Sequence, residues 1–388
     1  MFKHRSRYLI SAIAYAFLLL LGLGVWGSQS AVKAAPTPSS RTAGLSPFTT
    51  AAGSWSHEVV GTIRGEYGES TSIAIDSNKY PHIAYFGTNG TDLLYASWDG
   101  SSWITETAVS SGSPRHAVSL ALDSNNQPHI SYYDSGLKYA HWNGSAWMTS
   151  TVASGGYYNS IAVDASDIPH IGYEDSNNYL AYAYWNGSAW STAMIDNNGD
   201  MGGNIIIKLD SQNHPHLGYR YDDTLYLKYA YWDGSQWTIA TAATGSIHAN
   251  LSFALDGQDK PHFSYYDWFD RDLHYAHKSG GTWSNDLIDS DGYVGTYNSV
   301  AIDTNDHPHI SYYNGSLETL MYANWNGTSW ITTTVDATAN VGQNGSLALD
   351  SLNNPHISYY NATDGTLNYA TKTAVIFDEF MFLPLVTK

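Results

Sequence analysis

An Asp closes a short apolar stretch, four residues intervene, and Pro-His opens another stretch. This phrase occurs seven times in a chain of 388 residues, and its period restricts the fold to few architectures. The copies begin at Asp76, Asp123, Asp164, Asp210, Asp256, Asp303 and Asp350. They end at His82, His129, His170, His216, His262, His309 and His356. Successive copies lie 41 to 47 residues apart. That is too long for a leucine-rich unit and matches the ~40 to 50 residues of a four-stranded propeller blade. The fold expected is all-β: a seven-bladed β-propeller with four antiparallel strands in each blade.

Each repeat parses into four strands. The first alternates small and branched residues, as in Ser72–Asp76 and Ser119–Asp123, and suits the crowded position nearest the axis. The second opens at Pro-His, where Pro is tolerated because it takes the first strand position. The third carries a Tyr-Ala step in every repeat, at Tyr95, Tyr139, Tyr182, Tyr229, Tyr275, Tyr322 and Tyr369. It runs into Trp-Asn-Gly-Ser or Trp-Asp-Gly-Ser, read as a two-residue hairpin with both central residues at positive φ. The fourth is marked by Trp103, Trp147, Trp190, Trp237, Trp283 and Trp330. A seventh such residue, Trp55, precedes the first complete repeat, while the last repeat stops after three strands. The two partial sets complement each other, so an N-terminal outer strand is expected to complete the last blade and close the ring, leaving no long free edge.

The domain reading follows. Residues 1–34 resemble a signal peptide or N-terminal anchor, with Lys3, Arg5 and Arg7 before an apolar run from Tyr8 to Val25 and small residues at Ala31, Ala34 and Ala35. Residues 35–52 read as a linker, 53–372 as the propeller, and 373–388 as an apolar tail. A secreted, extracellular or cell-surface location is expected, with a membrane contacted only through the N-terminal segment if it is uncleaved.

The formal net charge is -18. Setting aside Lys3, Arg5, Arg7, Lys33 and Arg41 leaves 12 Lys and Arg against 35 Asp and Glu, or -23. Such a surface disfavours nucleic acid, which requires a basic footprint. With no cysteine, neither disulfides nor thiolate chemistry are available.

The phrases Leu122–Asp134 and Tyr182–Trp190 resemble repeats of secreted bacterial β-propellers of the sialidase-like and propeller-lectin group, and the likeness covers residues 53–372. It implies carbohydrate binding. The Asp-box of the group's sialidases is approached only by Ser97–Trp103, one residue short, and their arginine triad is not evident.

The recurrent histidines read as structural. Equivalent residues in a sevenfold ring stand on the order of 10 Å apart given ~4.8 Å strand spacing, whereas zinc binds its ligands at ~2.0 to 2.1 Å. Each Asp is expected to accept N–H bonds across its turn, and each His to bridge neighbouring blades. The Asp turns and Trp-Asn-Gly turns share one face and scarcely vary; loops on the opposite face differ in every blade, and binding is expected there.

Departures from the pattern single out residues. Lys208 stands where other first strands hold Ala; Glu174 and Arg220 stand where other second strands end in Phe86, Tyr133, Tyr266, Tyr313 or Tyr360. They read either as an ion pair of Glu174 with Arg220, with Lys208 in channel water, or as one wall of a ligand site. The arginines beyond the leader are Arg64, Arg115, Arg220 and Arg271, all assigned to the variable face, where their forks suit a carboxylate or sulfate. Trp268 and Phe269 suit the apolar face of a sugar, or else pack on a neighbouring loop. No cofactor and no metal site are expected, although Asp196, Asp200, Asp222, Asp223, Asp270, Asp272, Asp289 and Asp291 leave calcium possible.

The function expected is noncatalytic binding of an extracellular glycan, possibly anionic, by a monomer. The alternatives are a sialidase-like glycosidase or polysaccharide lyase using carboxylates among Glu66, Glu69, Glu174 and Asp200, and a scaffold that binds a surface protein.

Overall fold

The computed structural model describes residues 53–63, 71–88, 92–110, 115–201, 203–338 and 340–372, without the side chains of Arg115, His116 and Ala249. The leader, the linker, the tail, Arg64, Glu66 and Glu69 lie outside these residues.

The described residues form seven sheets of four antiparallel strands and no helix. In the chain, β1 (Ser56–Thr62) comes first, and the first blade follows as β2 (Ser72–Ile75), β3 (Pro81–Phe86), β4 (Asp92–Trp98) and β5 (Trp103–Ser110), paired in that order. The innermost strands of successive sheets touch one another, the first against the seventh included, and this makes a ring. β1 is the outer strand of the seventh sheet, beside Thr366–Thr371, with Ser56 opposite Thr371 and Thr62 opposite Thr366.

Sheets stack face to face, so the middle strands are buried on both sides; all six residues of β3 are buried. Each third-strand Tyr meets the outer-strand Trp of the next sheet edge-on, as Tyr95 does Trp147 and Tyr275 does Trp330. Tyr322 takes Trp55, and Tyr369 takes Trp103, so Trp55 fills in the seventh sheet the place of the other outer-strand tryptophans. Edge-to-face pairs at centroid distances of 5.2 Å contribute about 0.5 to 1.5 kcal/mol beyond their buried area.

Nearer the axis, Ser72, Ser119, Ser252, Ser299 and Ser346 each accept an N–H from the adjoining innermost strand, at 2.9 to 3.3 Å. Blade four carries Ile206 at this position.

The Asp turns form as expected and their links differ. Each Asp accepts the N–H groups two and four residues on; Asp123 takes Asn125 at 2.8 Å and Gln127 at 2.7 Å. The bridge between blades, however, is not the histidine. It is the turn residue at positive φ, such as Asp167 (φ 62), whose carboxylate accepts Ser124 N–H at 2.8 Å, or Asp306, which accepts Gly257 N–H at 2.9 Å. Asp and Asn tolerate this left-handed backbone, and there the side chain reaches the preceding blade.

The histidines stay within their own blades. Nδ1 meets the hydroxyl of the third-strand Tyr, as His129 does Tyr139 at 2.6 Å and His216 does Tyr229 at 2.6 Å. Nε2 faces the blade's own Asp at 3.3 to 3.7 Å. Among the described residues, no group of three or more His, Asp or Glu is placed to hold a metal ion.

The hairpin turn also departs from expectation. Trp142 pairs with Trp147, so four residues intervene rather than two, and only Gly144 (φ 91) is left-handed. Asn143 instead accepts the N–H groups of Ser145 and Ala146 at 3.0 Å. This side-chain turn holds the strands without an Asn at positive φ.

Candidate functional site

The second strands of blades three and four, Pro169–Glu174 and Pro215–Arg220, end on the face away from the Asp turns. There they carry charge where the other blades carry an aromatic ring. Burying a charge is costly unless it is paired or neutralised. The two residues resolve this differently.

Arg220 is paired. Its guanidinium donates to the Asp222 carboxylate and, at 3.2 Å, to the Ile247 carbonyl, while its Nε is buried without a partner. The Glu174–Arg220 ion pair weighed from sequence is not formed. Glu174 has no such partner: it is only 8% exposed, and its carboxylate has no hydrogen bond among the described residues. Burial, then repulsion by Asp175, Asp200 and Asp222, push its carboxyl up to about 7.

Tyr158 lies beside both charges. Burial, then Tyr157 and Glu174, raise its phenol to about 12, against the opposing pull of Arg220. It also borders a cavity of 160 Å³ on the axis, lined by Asn159, Asn204, Ser119 and Ser252 among others. The mouth therefore presents a protonated hydroxyl, a carboxyl poised near neutrality, and a guanidinium held by Asp222.

Blade five supplies the aromatic part. Asp267 accepts Phe269 N–H at 2.8 Å, and Arg271 at φ 70 donates its N–H to the Asp267 carbonyl, which closes the turn. The turn lifts Trp268 and Phe269 out to 63% and 82% exposure. Trp268 is not loose, because His248 stacks on it at 5.3 Å and 19°. Burial and then the nearby Arg220 lower the His248 pKa, so the imidazole is neutral. The Arg271 guanidinium lies over the Tyr293 ring at 4.3 Å and donates to its hydroxyl.

Lys208 does not join this group. It pairs with His216, four residues before Arg220 along the second strand, which is ~13 Å at 3.3 Å per residue. Lys208 is thus at the Asp-turn end of the axis, open to channel solvent but surrounded by protein, and that desolvation lowers its ammonium pKa. Arg115 begins the strand Arg115–Leu122 opposite Tyr133, at the mouth end of its blade. Among the acidic candidates, Asp196 is taken by the hydroxyls of Tyr219 at 2.7 Å and Tyr221 at 2.9 Å, and Asp289 by Tyr312 at 2.6 Å.

Sequence reasoning missed Tyr158, His248 and Tyr293. Tyr158 and Tyr293 belong to loops without periodicity, and His248 was hidden among sixteen histidines.

No family model matches the chain, and no curated protein matches it in sequence. Solved structures match it in fold. The SapL1 lectin, determined in complex with alpha methyl fucoside, is 16% identical, with 69% of this chain and 96% of that chain covered and a TM-score of 0.52. The BP39L lectin from Burkholderia pseudomallei is 11% identical over 79% of this chain and 96% of its own, with a TM-score of 0.64. The polysaccharide lyase Uly1 is 9% identical over 78% and 89%, with a TM-score of 0.53. At such identities the likeness is one of fold: the chain shares a propeller architecture with lectins and with a polysaccharide lyase.

Proposed function

We propose that this chain is a noncatalytic glycan-binding propeller, secreted or held at the cell surface, whose binding site is the mouth formed by blades three to five. The observation that carries this reading is Trp268, an indole fixed on one side by His248 with most of its surface in solvent. A rigid exposed aromatic with hydroxyl, imidazole and guanidinium groups around it fits a sugar, which offers an apolar ring face and a rim of hydroxyls. The lectin neighbours support the ligand class, and the leader-like residues 1–34 support the location. Because Asp222 already occupies Arg220, an acidic or sulfated group on the glycan belongs against Arg271, whose fork is exposed.

The test is a glycan array followed by calorimetry on its strongest hit with Trp268→Ala and Arg271→Ala. Unchanged affinity in both variants overturns the placement.

A second reading, glycan cleavage, rests on Glu174, since a carboxyl titrating near 7 beside a protonated phenol could exchange protons at neutral pH. New reducing ends or new unsaturated products in digests of the bound glycan, lost in Glu174→Gln, would establish it; intact glycan would leave binding alone.

A further inference from the structure

The cavity of 160 Å³ on the axis is lined by residues from all seven blades, and the glycan reading of the mouth does not use it. It is well below the ~300 Å³ at which drug-sized ligands begin to fit. Whatever enters here is small.

Its lining is polar without charge. It contains no Lys, Arg, Asp or Glu, and offers hydroxyls and amides instead. Two of the amides are spent within their blades. Asn159 Nδ2 donates to the Gly156 carbonyl at 2.9 Å and its Oδ1 accepts from Ser131, while Asn298 Nδ2 donates to the Gly295 carbonyl at 2.9 Å. Three of the serines are used on one side only. The Oγ atoms of Ser119, Ser252 and Ser346 accept the N–H groups of Ile161, Val300 and Ile73, at 3.1, 3.0 and 3.3 Å. A hydroxyl has one hydrogen and two lone pairs, so an Oγ that accepts from the next blade still has its own hydrogen to give. Ser160 stands 3.5 Å from Ser119, which is long for an O–H···O bond. Blades two, five and seven thus each turn an O–H donor toward the axis.

Charge enters the channel through Lys208. It follows Ile206, which lines the cavity, by two residues on the same side of the strand, a step of ~6.6 Å at 3.3 Å per residue. The four-carbon stem of a lysine covers such a step. Its side chain is open to the channel, and among the described residues no hydrogen bond or ion pair holds its ammonium. Desolvation lowers its pKa, with no carboxylate to oppose the effect. A charge enclosed by protein without a counter-charge is costly. The other six blades avoid that cost with Ala74, Ala121, Ala162, Ala254, Ala301 and Ala348. An ammonium without a carboxylate, beside hydroxyls with hydrogens to donate, is a setting for negative charge.

We propose that the axial channel binds a small inorganic anion, of the size of chloride, sulfate or phosphate, between the Lys208 ammonium and the hydroxyls of Ser119, Ser252 and Ser346. Hydrogen bonds with an ionised partner are roughly twice as strong as neutral ones. The site stands independently of the glycan reading of the mouth.

The test follows thermal unfolding of the full chain while sodium chloride, sulfate or phosphate is titrated at constant ionic strength, balanced by an organic sulfonate too bulky for the cavity. At least one of the three anions should raise Tm along a saturable curve, as a ligand of the folded state does. The midpoint of that curve should move tenfold or more in Lys208→Ala and stay unchanged in Lys138→Ala, which removes the same charge beside Thr151 of an outer strand. Alanine is what the other blades carry, so Lys208→Ala is expected to fold, and without anion it should melt no lower than the parent. Ser252→Ala keeps the ammonium, removes one donor and should weaken the response less than Lys208→Ala does. No saturable response in the parent, an equal response in Lys208→Ala, or an anion-free Lys208→Ala that melts below the parent would each overturn the proposal. A response lost in Arg271→Ala and kept in Lys208→Ala would place the anion at the mouth and overturn it as well.

Discussion

The Asp–His–Tyr set and the mouth solve opposite problems with equivalent positions. Around the ring, seven buried histidines meet their Asp partners at distances spanning only 3.3 to 3.7 Å, and each bonds its own blade's Tyr. At the mouth, the last residue of the second strand is Phe86, Tyr133, Glu174, Arg220, Tyr266, Tyr313 or Tyr360. In the first set repetition builds a frame from modest neutral contacts. In the second, two blades exchange a ring for a charge that burial penalises, Arg220 relieved by Asp222 and Glu174 answering with a carboxyl pushed up to about 7. Stability comes from what recurs, and specificity from the blades that break the recurrence.

The sharpest way to break the frame is to remove the outer strand of its seventh sheet. A chain lacking residues 1–62 loses β1, Trp55 and the Tyr322 contact, and exposes the edge of Thr366–Thr371 and one face of Tyr322. Aggregation or a strongly lowered Tm is expected in thermal unfolding. A truncated chain as stable as the parent would show that β1 decorates the ring without holding it.

Acid should act on the whole frame at once. Burial, against the weaker attraction of each Asp, lowers the pKa of all seven Pro-His histidines from 6.5 in the folded chain. Below about 6.5 the unfolded chain binds protons that the folded chain resists, so stability falls as pH falls through that value. Glu174 has the opposite sign: folded, it holds a proton up to about 7, which favours the folded state at lower pH. Seven groups outweigh one, and the denaturation midpoint should decline between about pH 7 and 5. A midpoint that rises over this window would mean that the histidines are charged in the fold.

A single frame residue should cost less. His309→Gln removes the imidazole that meets Tyr322 and faces Asp303. Loss of a buried hydrogen bond with its partner left behind costs about 1 to 3 kcal/mol. Chemical denaturation should show this loss while glycan affinity holds. A large loss of affinity at unchanged stability would move the binding site to the Asp-turn face.

The frame was legible because it is written seven times, and Trp55 could be placed because it is the one outer-strand Trp without a repeat of its own. What failed was partner assignment. His82 and Tyr95 sit on neighbouring strands opposite Ser97 and Ala84 respectively, two steps apart on the same face. That diagonal is within reach of an aromatic side chain, and the register was available in principle. Lys208 was grouped with Glu174 and Arg220 because all three break a pattern, although its pairing with His216 sets it at the far end of the blade. The mouth itself was only partly legible. Trp268 and Arg220 stood out by type, but the stack of His248 on Trp268 and the approach of Asp200 and Asp222 to Glu174 depend on loops that no period describes.

The smallest change to the fold should come from Trp268→Ala, and it sharpens the comparison most. The indole is 63% exposed, and its described contacts are the His248 and Tyr266 rings and the backbone bond from its N–H to the Ser246 carbonyl at 2.8 Å, which alanine keeps. Surface substitutions of this kind usually change stability by no more than ~0.5 kcal/mol. Loss of an aromatic anchor in a binding site costs about 1 to 3 kcal/mol of affinity, roughly 5- to 150-fold. If Tm holds and affinity for the array's best glycan drops within that range, frame and mouth are separable as argued. If affinity holds instead, the exposed indole is not the anchor, and the carbohydrate site must be sought between the blades rather than at their mouth.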